Sequence, residues 1–278
     1  MEPEQTPLAV IGGGNMARAI LTAPASAALL AGRCVVAEPL AEKRPDFELA
    51  VPTAADALAW VRAHEPVPGV GQVLLAVKPQ LLADVARELA PILAAEDQGR
   101  VVITILAGTP SAKVRAALAP AVRVVRAMPN TPARIARGIT AVCLGDGARQ
   151  GDDTFARALF EGVGRVVDLP ESMLDAFTAL AGSGPAYVFY LAEAMVEAAC
   201  ALGFEREQAI AIVRETVSGS GELMRSSPEP PRALRAAVTS KGGTTAAATD
   251  VLDQAGVMDA FIRAIHAARH RGVELAKD

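Results

Sequence analysis

Short apolar, largely β-branched runs alternate with stretches of helical periodicity over the first part of the chain. Residues 8–12, 34–38, 70–77, 101–106, 122–126, 139–144 and 165–169 read as strands, and residues 15–30, 54–63, 80–93, 111–118 and 153–162 as helices between them. That order predicts a largely parallel sheet with crossover helices on both faces. After Pro170 the strand signals stop, and the pattern predicts helices over 173–181, 186–202, 205–224, 231–238, 244–254 and 258–276. The expected fold is an α/β domain over residues 1–168 followed by an all-helical domain over 169–278. The helical half is rich in Ala and Gly and carries more apolar surface than one small domain can cover, which predicts packing against a second copy of the chain.

Composition narrows the chemistry. With 51% hydrophobic and 21% charged residues over 278 positions, the chain can bury a sizeable core. A formal charge of -4 and an aromatic content of 4% offer little to hold a phosphate backbone or to stack on bases, so no nucleic-acid partner is expected. The apolar stretch 19–32 is too short to span a bilayer and contains Pro24, and the acidic start Met1-Glu2-Pro3-Glu4 lacks the positive region of a secretory signal. A cytoplasmic enzyme without membrane association is the expectation. Cys34, Cys143 and Cys200 lie far apart among apolar neighbours and read as buried thiols, not as disulfide partners or zinc ligands. His266, His270 and Glu274 share one helical face but lack the HExxH arrangement, so a solvated polar face is expected there and no metal site.

The candidate chemistry starts where the first strand ends. Leu8-Ala9-Val10-Ile11 runs into Gly12-Gly13-Gly14 and then into a helix opening Asn15-Met16-Ala17. Gly12 permits a tight turn, Gly14 lets a pyrophosphate approach the backbone, Ala17 allows helix and strand to pack closely, and the helix N-terminus attracts an anion. A strand before, a helix after and a place near the N-terminus identify a Rossmann-type dinucleotide loop, hence an oxidoreductase using a nicotinamide cofactor. Glu38 ends the next strand, where a carboxylate accepts hydrogen bonds from the adenosine ribose and repels a 2′-phosphate. NADH is favoured over NADPH on that ground, although Lys43 and Arg44 offset part of the repulsion; a merely solvated strand-end glutamate is the alternative. Loops at later strand ends belong in the same crevice: Ala76-Val77-Lys78-Pro79, Ala107-Gly108-Thr109 and Met128-Pro129-Asn130-Thr131-Pro132. Lys78 is a candidate contact for a ribose or phosphate oxygen, and Asn130 for the nicotinamide end.

Two polar glycine motifs interrupt the helical half, Leu180-Ala181-Gly182-Ser183-Gly184-Pro185-Ala186-Tyr187 and Thr239-Ser240-Lys241-Gly242-Gly243-Thr244-Thr245. Small residues in the second expose backbone N–H groups where a helix begins at Thr244, so a substrate carboxylate can sit on Gly243 and Thr244 with the Thr245 hydroxyl facing a reacting nitrogen. By composition alone, Ser240 or Thr244 capping the helix is an equal reading.

In order and spacing, the motifs at 12–17, 77–80, 128–132, 180–187 and 240–245 together resemble pyrroline-5-carboxylate reductase over nearly the whole chain. The resemblance implies an N-terminal Rossmann domain and a helical dimerisation domain whose helices interleave between subunits, giving a homodimer that in many members assembles into a homodecamer. It implies reduction of 1-pyrroline-5-carboxylate to L-proline with NAD(P)H, the last step of proline synthesis. By matching position, Gly242, Gly243 and Thr244 would cradle the substrate carboxylate, Ser240 would shape that loop, and Thr245 would lie near the ring nitrogen, with Ser183 and Gly184 closing the nicotinamide side. The cofactor contacts would come from Gly12, Gly14, Asn15, Met16, Glu38, Ala76, Val77, Lys78, Pro79, Ala107 and Asn130.

Two positions depart from the family pattern. Lys241 stands where many members have proline, so the loop is less rigid or the lysine attracts the carboxylate. Glu38 with Pro39 stands where several members carry a small polar residue or Asn followed by Arg, which again favours NADH. A cyclic imine needs hydride at carbon and a proton at nitrogen, and its protonated form is already a strong electrophile, so alignment is the main requirement and neither a metal nor a covalent nucleophile is needed. Rival reductases of the same two-domain plan, such as β-hydroxyacid dehydrogenases and ketopantoate reductases, use a lysine of the helical domain to polarise a carbonyl; here no lysine occurs between Lys113 and Lys241. A non-catalytic dinucleotide-sensing protein is the other rival, and intact glycine loops at both sites argue against it.

Overall fold

A computed structural model describes residues 5–276; the acidic opening Met1-Glu2-Pro3-Glu4 lies outside the described residues, as do Lys277 and Asp278. The chain divides into two compact units, one running to Ser183 and joined by the segment from Arg269, the other spanning Gly184–Ala268.

In the first unit the strands β1 (Leu8–Ile11), β2 (Cys34–Ala37), β3 (Ala50–Val51), β4 (Gln72–Leu75), β5 (Val101–Thr104), β6 (Arg123–Met128), β7 (Gly138–Leu144) and β8 (Gly164–Asp168) form one sheet in the order β3-β2-β1-β4-β5-β6-β7-β8. Neighbours are parallel except β6 and β7, so the largely parallel sheet expected from the sequence is present. Helices α1 (Asn15–Thr22), α2 (Pro24–Leu30), α3 (Ala54–His64), α4 (Leu82–Ala94), α5 (Ser111–Leu118) and α6 (Thr154–Glu161) cover it. Successive strand residues point to opposite faces. Leu8, Val10, Val36, Leu74 and Ile103 pack with α1, α2 and α6, whereas Ala9, Ile11, Val35, Leu75 and Val102 pack with α3, α4 and α5. Because both faces are covered, the strands read as unbroken apolar runs.

Two expectations are corrected. The single helix over 15–30 is two helices, because Pro24 lacks an N–H and drives Ala23 into an extended conformation (φ -67°, ψ 130°) between α1 and α2. The helix over 173–181 is a 3-10 turn, Glu171–Met173, one turn of α-helix, α7 (Leu174–Phe177), and a π-helical turn, Thr178–Gly182. The Ser183 N–H donates to the Thr178 carbonyl at 2.8 Å, five residues back, which widens the helix just ahead of the second glycine motif.

The second unit holds α8 (Gly184–Ala201), α9 (Arg206–Ser226), α10 (Pro231–Ala237), α11 (Thr244–Gln254) and most of α12 (Val257–Leu275). Among the described residues only Ala209 and Val213 of α9 are buried, and α8, α10, α11 and α12 bury none. Phe189 and Tyr190 of α8 are 67% and 73% exposed, and Leu191, Val251, Leu252 and Met258 also stand open. Apolar faces of this extent are uncommon on the surface of a monomer. No helix among the described residues is long and apolar enough to cross a membrane.

At the N-terminal ends of the strands, Arg100 is 1% exposed and reaches Glu65 at 2.9 Å, Glu96 at 2.7 Å and the Gly71 carbonyl at 2.7 Å. Burial pushes the Glu65 carboxyl up, but hydrogen bonds from Arg100 and from the Gly71 N–H outweigh it and hold the group below the ordinary carboxylate range. Arg100→Met therefore leaves Glu65 without its cation and Glu96 with only Arg62, at 3.9 Å, and is expected to cost about 3–5 kcal/mol in chemical denaturation at neutral pH. A carboxylate whose folded pKa is lowered contributes stability above its unfolded value, about 4.3, and loses that contribution as pH falls through the folded value. The deficit of the variant should thus narrow below about pH 4; a deficit of constant size across that range would count against the account.

Candidate functional site

In the sheet order β1 lies between β2 and β4, the point where the chain reverses its direction of travel across the sheet and where a crevice opens beyond the strand ends. The glycine loop is seated there by close packing. Gly12 has φ +103°, and a Cβ on it would stand 2.9 Å from both the Ala76 carbonyl oxygen and the Val77 side chain. The Gly12 N–H donates to the Ala37 carbonyl at 3.0 Å and the Ala76 N–H to the Ile11 carbonyl at 2.9 Å, so the loops after β1, β2 and β4 meet edge to edge. Gly14 caps α1 with open space around its Cβ position, and no side chain caps the helix. The first-turn N–H groups at Asn15 and Met16 are therefore available to an anion. The Met16 side chain packs on the core, which leaves its main chain to serve a ligand.

Glu38 is 6% exposed, which overturns the reading as a solvated strand-end glutamate. Its Oε2 accepts from the Gly13 N–H at 3.2 Å and its Oε1 from the Leu40 N–H at 3.0 Å. The Arg44 guanidinium donates to the Glu38 and Pro39 carbonyls at 2.8 and 2.9 Å, while Lys43 is exposed. Gly13, Arg18, Asp46 and Phe47 also belong to this cluster, and the sequence reading did not single them out. The middle glycine was the available signal: a Cβ there would stand 2.7 Å from the Phe47 ring and 2.8 Å from Glu38 Oε2.

The remaining crevice residues lie beyond later strands. Lys78 is exposed ahead of the 3-10 turn Pro79–Leu81, and Pro79 and Ala107 line a cleft of about 460 Å³ with Thr109, Lys113 and Leu275. Asn130 is buried; its amide nitrogen donates to the Ala181 carbonyl at 3.1 Å and its oxygen accepts from the Ile139 N–H at 2.9 Å. It braces the loop after β6 against β7 and the π-helical turn. Glu171 accepts from the Ser111 N–H and hydroxyl at 2.7 and 2.6 Å and from Arg126 at 3.0 Å. Burial raises its pKa, and these donors more than reverse the effect, keeping it an anion.

Two of the three thiols are held protonated. Cys143 is buried, while Cys34 and Cys200 are half-buried, more open than expected. Burial, aided by the Glu48 carboxylate, pushes Cys34 up to about 12, and burial pushes Cys143 to about 11, so neither supplies a thiolate near neutral pH. Glu274 is engaged by His270 at 3.3 Å and Arg271 at 2.9 Å.

In the helical unit the loop 240–245 runs directly into α11. Gly242 takes φ +73°, and Gly243 caps α11 at φ -82°, ψ 175° without any side-chain cap hydrogen bond. The alternative in which Ser240 or Thr244 caps this helix is thereby removed. Ser240 instead folds over Gly243, where a Cβ would stand 2.4 Å from its Oγ, and the Gly243 N–H donates to the Ser240 carbonyl at 3.0 Å. The half-buried Thr245 hydroxyl has no hydrogen-bond partner among the described residues, and Lys241 is exposed. Gly184 opens α8 with free space at its Cβ position, directly after Ser183.

A family model for pyrroline-5-carboxylate reductase dimerisation matches residues 171–275, and one for NADP oxidoreductase, coenzyme F420-dependent, matches residues 7–108. Similar proteins include the pyrroline-5-carboxylate reductase of Synechocystis sp., 36% identical over 97% of this chain and 98% of its own. That of Mycobacterium tuberculosis is 36% identical over 96% of both chains. Among solved structures, a pyrroline-5-carboxylate reductase of Coxiella burnetii aligns with a TM-score of 0.85 at 31% identity, over 99% of this chain and 100% of that one.

The two outer glycines of the first loop should separate under substitution. Gly12→Ala meets backbone strain of about 1–3 kcal/mol as well as a clash, and is expected to lower the thermal midpoint. Gly14→Ala should leave that midpoint nearly unchanged and yet weaken dinucleotide binding about tenfold, because its methyl group fills open space at the helix start. Differential scanning fluorimetry with NADH fluorescence titration checks both; unweakened binding by Gly14→Ala would show that the loop is only a turn.

Proposed function

This chain belongs to the pyrroline-5-carboxylate reductase family, and from that premise we propose how its own residues divide the work. It reduces 1-pyrroline-5-carboxylate to L-proline with a nicotinamide cofactor, the last step of proline biosynthesis. The observation that carries the residue assignment is the pair of glycine-led helix starts without a side-chain cap, at Gly14 and at Gly243. Each is a ready anion site, and the reaction brings a dinucleotide pyrophosphate and a substrate carboxylate.

We assign residues 1–168 to cofactor binding and 169–278 to substrate binding and dimerisation. The amides at Gly14, Asn15 and Met16 hold the pyrophosphate and Glu38 the adenosine ribose. The loops at Ala76-Val77-Lys78-Pro79 and at Ala107 flank the cofactor, with Asn130 bracing its nicotinamide end, and Ser183 and Gly184 close that side. When bound, the cofactor supplies the hydride. Gly242, Gly243 and Thr244 hold the substrate carboxylate, Ser240 keeps Gly243 in place, and the Thr245 hydroxyl orients the ring nitrogen, accepting from its N–H when the imine is protonated and relaying a proton from water when it is not. NADH is the preferred reductant on this reading. The Glu38 carboxylate is fixed through both oxygens where a 2′-phosphate would have to approach, and Arg44 is committed to main-chain carbonyls. The open apolar faces of the helical unit support a homodimer, which we place in a cytoplasmic homodecamer.

Spectrophotometric assay of dinucleotide oxidation with pyrroline-5-carboxylate, run side by side with NADH and NADPH, tests the reading. Wild type should show the higher kcat/KM with NADH, and Glu38→Ser should move the ratio about tenfold toward NADPH. An unmoved ratio would remove Glu38 from the specificity assignment. Thr245→Val should lower kcat by about a hundredfold while NADH affinity stays within about twofold. Near-normal turnover in that variant would sink the role given to Thr245.

A further inference from the structure

Gly13 is the most tightly held residue of the glycine loop. Its N–H is bound by Glu38 Oε2 at 3.2 Å, its carbonyl accepts from Arg18 Nε at 3.2 Å, and the Phe47 ring fills the place where a side chain would begin. Arg18 is fixed in turn, pairing with Asp46 at 2.5 Å and lying over the Phe47 ring at 5.5 Å from its centroid. Arg18 belongs to α1, whereas Asp46 ends the 3-10 turn Ala41–Asp46 that follows β2 and Phe47 comes next. One side chain therefore ties together the two segments that flank the loop.

We propose that Arg18, held by Asp46 and Phe47, is a positioning residue that keeps the two peptides meeting at Gly13, and with them the Glu38 carboxylate, in the orientation a dinucleotide requires. The inference rests on the reading of this loop as the cofactor site. Three consecutive glycines would leave the peptide plane at Gly13 free to turn, and a loop of that kind loses much conformational entropy when a ligand orders it. The Gly13 N–H belongs to the peptide shared with Gly12 and its carbonyl to the peptide shared with Gly14, so partners on both fix the two planes that meet at Gly13 and remove that freedom before the ligand arrives. Arg18 then acts through Gly13 and Glu38, without touching the reacting atoms, so its effect falls on cofactor affinity and spares the chemical step.

A different use of Arg18, as a cation that binds a cofactor phosphate directly, predicts the opposite response at Asp46. If Arg18 is a positioning residue, loss of the Asp46 charge loosens it and weakens binding. If Arg18 contacts phosphate, Asp46 competes for it, and loss of that charge strengthens binding.

The test uses full-length Arg18→Gln, Asp46→Asn and the double variant, with NADH fluorescence titration and steady-state kinetics at saturating pyrroline-5-carboxylate. Arg18→Gln should raise Kd and KM for NADH about tenfold with kcat retained, and Asp46→Asn should raise them about threefold. The double variant should be no worse than Arg18→Gln, because both substitutions disable one coupled unit. Asp84→Asn, which breaks an exposed pair with Arg87 on α4, should change neither constant. Tighter binding by Asp46→Asn, unchanged binding by Arg18→Gln, or a fall in kcat that tracks a lowered melting temperature would each overturn the proposal. Wild-type protein that binds neither NADH nor NADPH would overturn the cofactor reading itself, a failure visible before any variant is made.

Discussion

A carboxylate bound to a backbone amide organises the nucleotide-binding end of this protein. Glu38 can be buried because both its oxygens are satisfied, one by the Gly13 N–H and one by the Leu40 N–H, and the glycine loop keeps its shape because that carboxylate has nowhere else to go. Gly12 is pressed onto Ala76 at the same time, so the ends of β1, β2 and β4 form one rigid rim. A rim assembled before the ligand arrives reduces the ordering cost of binding, and it fixes a negative charge beside the glycine loop. On the proposed assignment of Glu38 to the ribose, geometry and electrostatic selectivity come from one contact.

The helical unit follows a different logic. The sheet is covered on both faces by its own helices, but α8 to α12 bury almost nothing within the chain, and their apolar side chains stand open. Faces of this kind suit the dimerisation described by the family model that matches residues 171–275. The loop between α10 and α11, two of these helices, leads into Thr244 and Thr245 at the start of α11. Its shape is set locally, by the left-handed Gly242 and by Ser240 over Gly243.

How much of this was legible in the sequence follows from the range of each interaction. The central strands were legible because coverage on both faces turns them into unbroken apolar runs, and α5 and α11 were legible to the residue because turn chemistry marks their ends. β3 is two residues long, too short for periodicity to register. The π-helical turn before Ser183 has no side-chain signature, since it arises from a hydrogen bond five residues back. Pro24 did announce its break, and the helical periodicity on either side of it masked the signal. At the candidate site, the loops could be read but their bracing could not. Asp46 and Phe47 are distant in the chain from Gly13, Arg18 is close but reads as a solvated helix residue, and Arg100 reaches Glu65 from 35 residues away. For the second glycine loop, capping and ligand binding predict the same composition, and only the absence of a side-chain cap at α11 separates them.

The same inventory bears on why a hydroxyl suits this reaction. Cys34 and Cys143 stay protonated, and the Glu171 carboxylate is committed to Ser111 and Arg126. A lysine that polarises a carbonyl, as in related reductases, would be a poor neighbour for a protonated imine, because two cations a few ångströms apart in a drying site repel strongly. The carbonyl needs that help to become electrophilic, whereas the iminium already carries the charge. A neutral threonine hydroxyl can accept from the N–H of the cation, keep the ring oriented, and lose nothing when the charge disappears on hydride arrival. On the proposed assignment, the stretch without lysine between Lys113 and Lys241 suits an electrophile that already carries its charge.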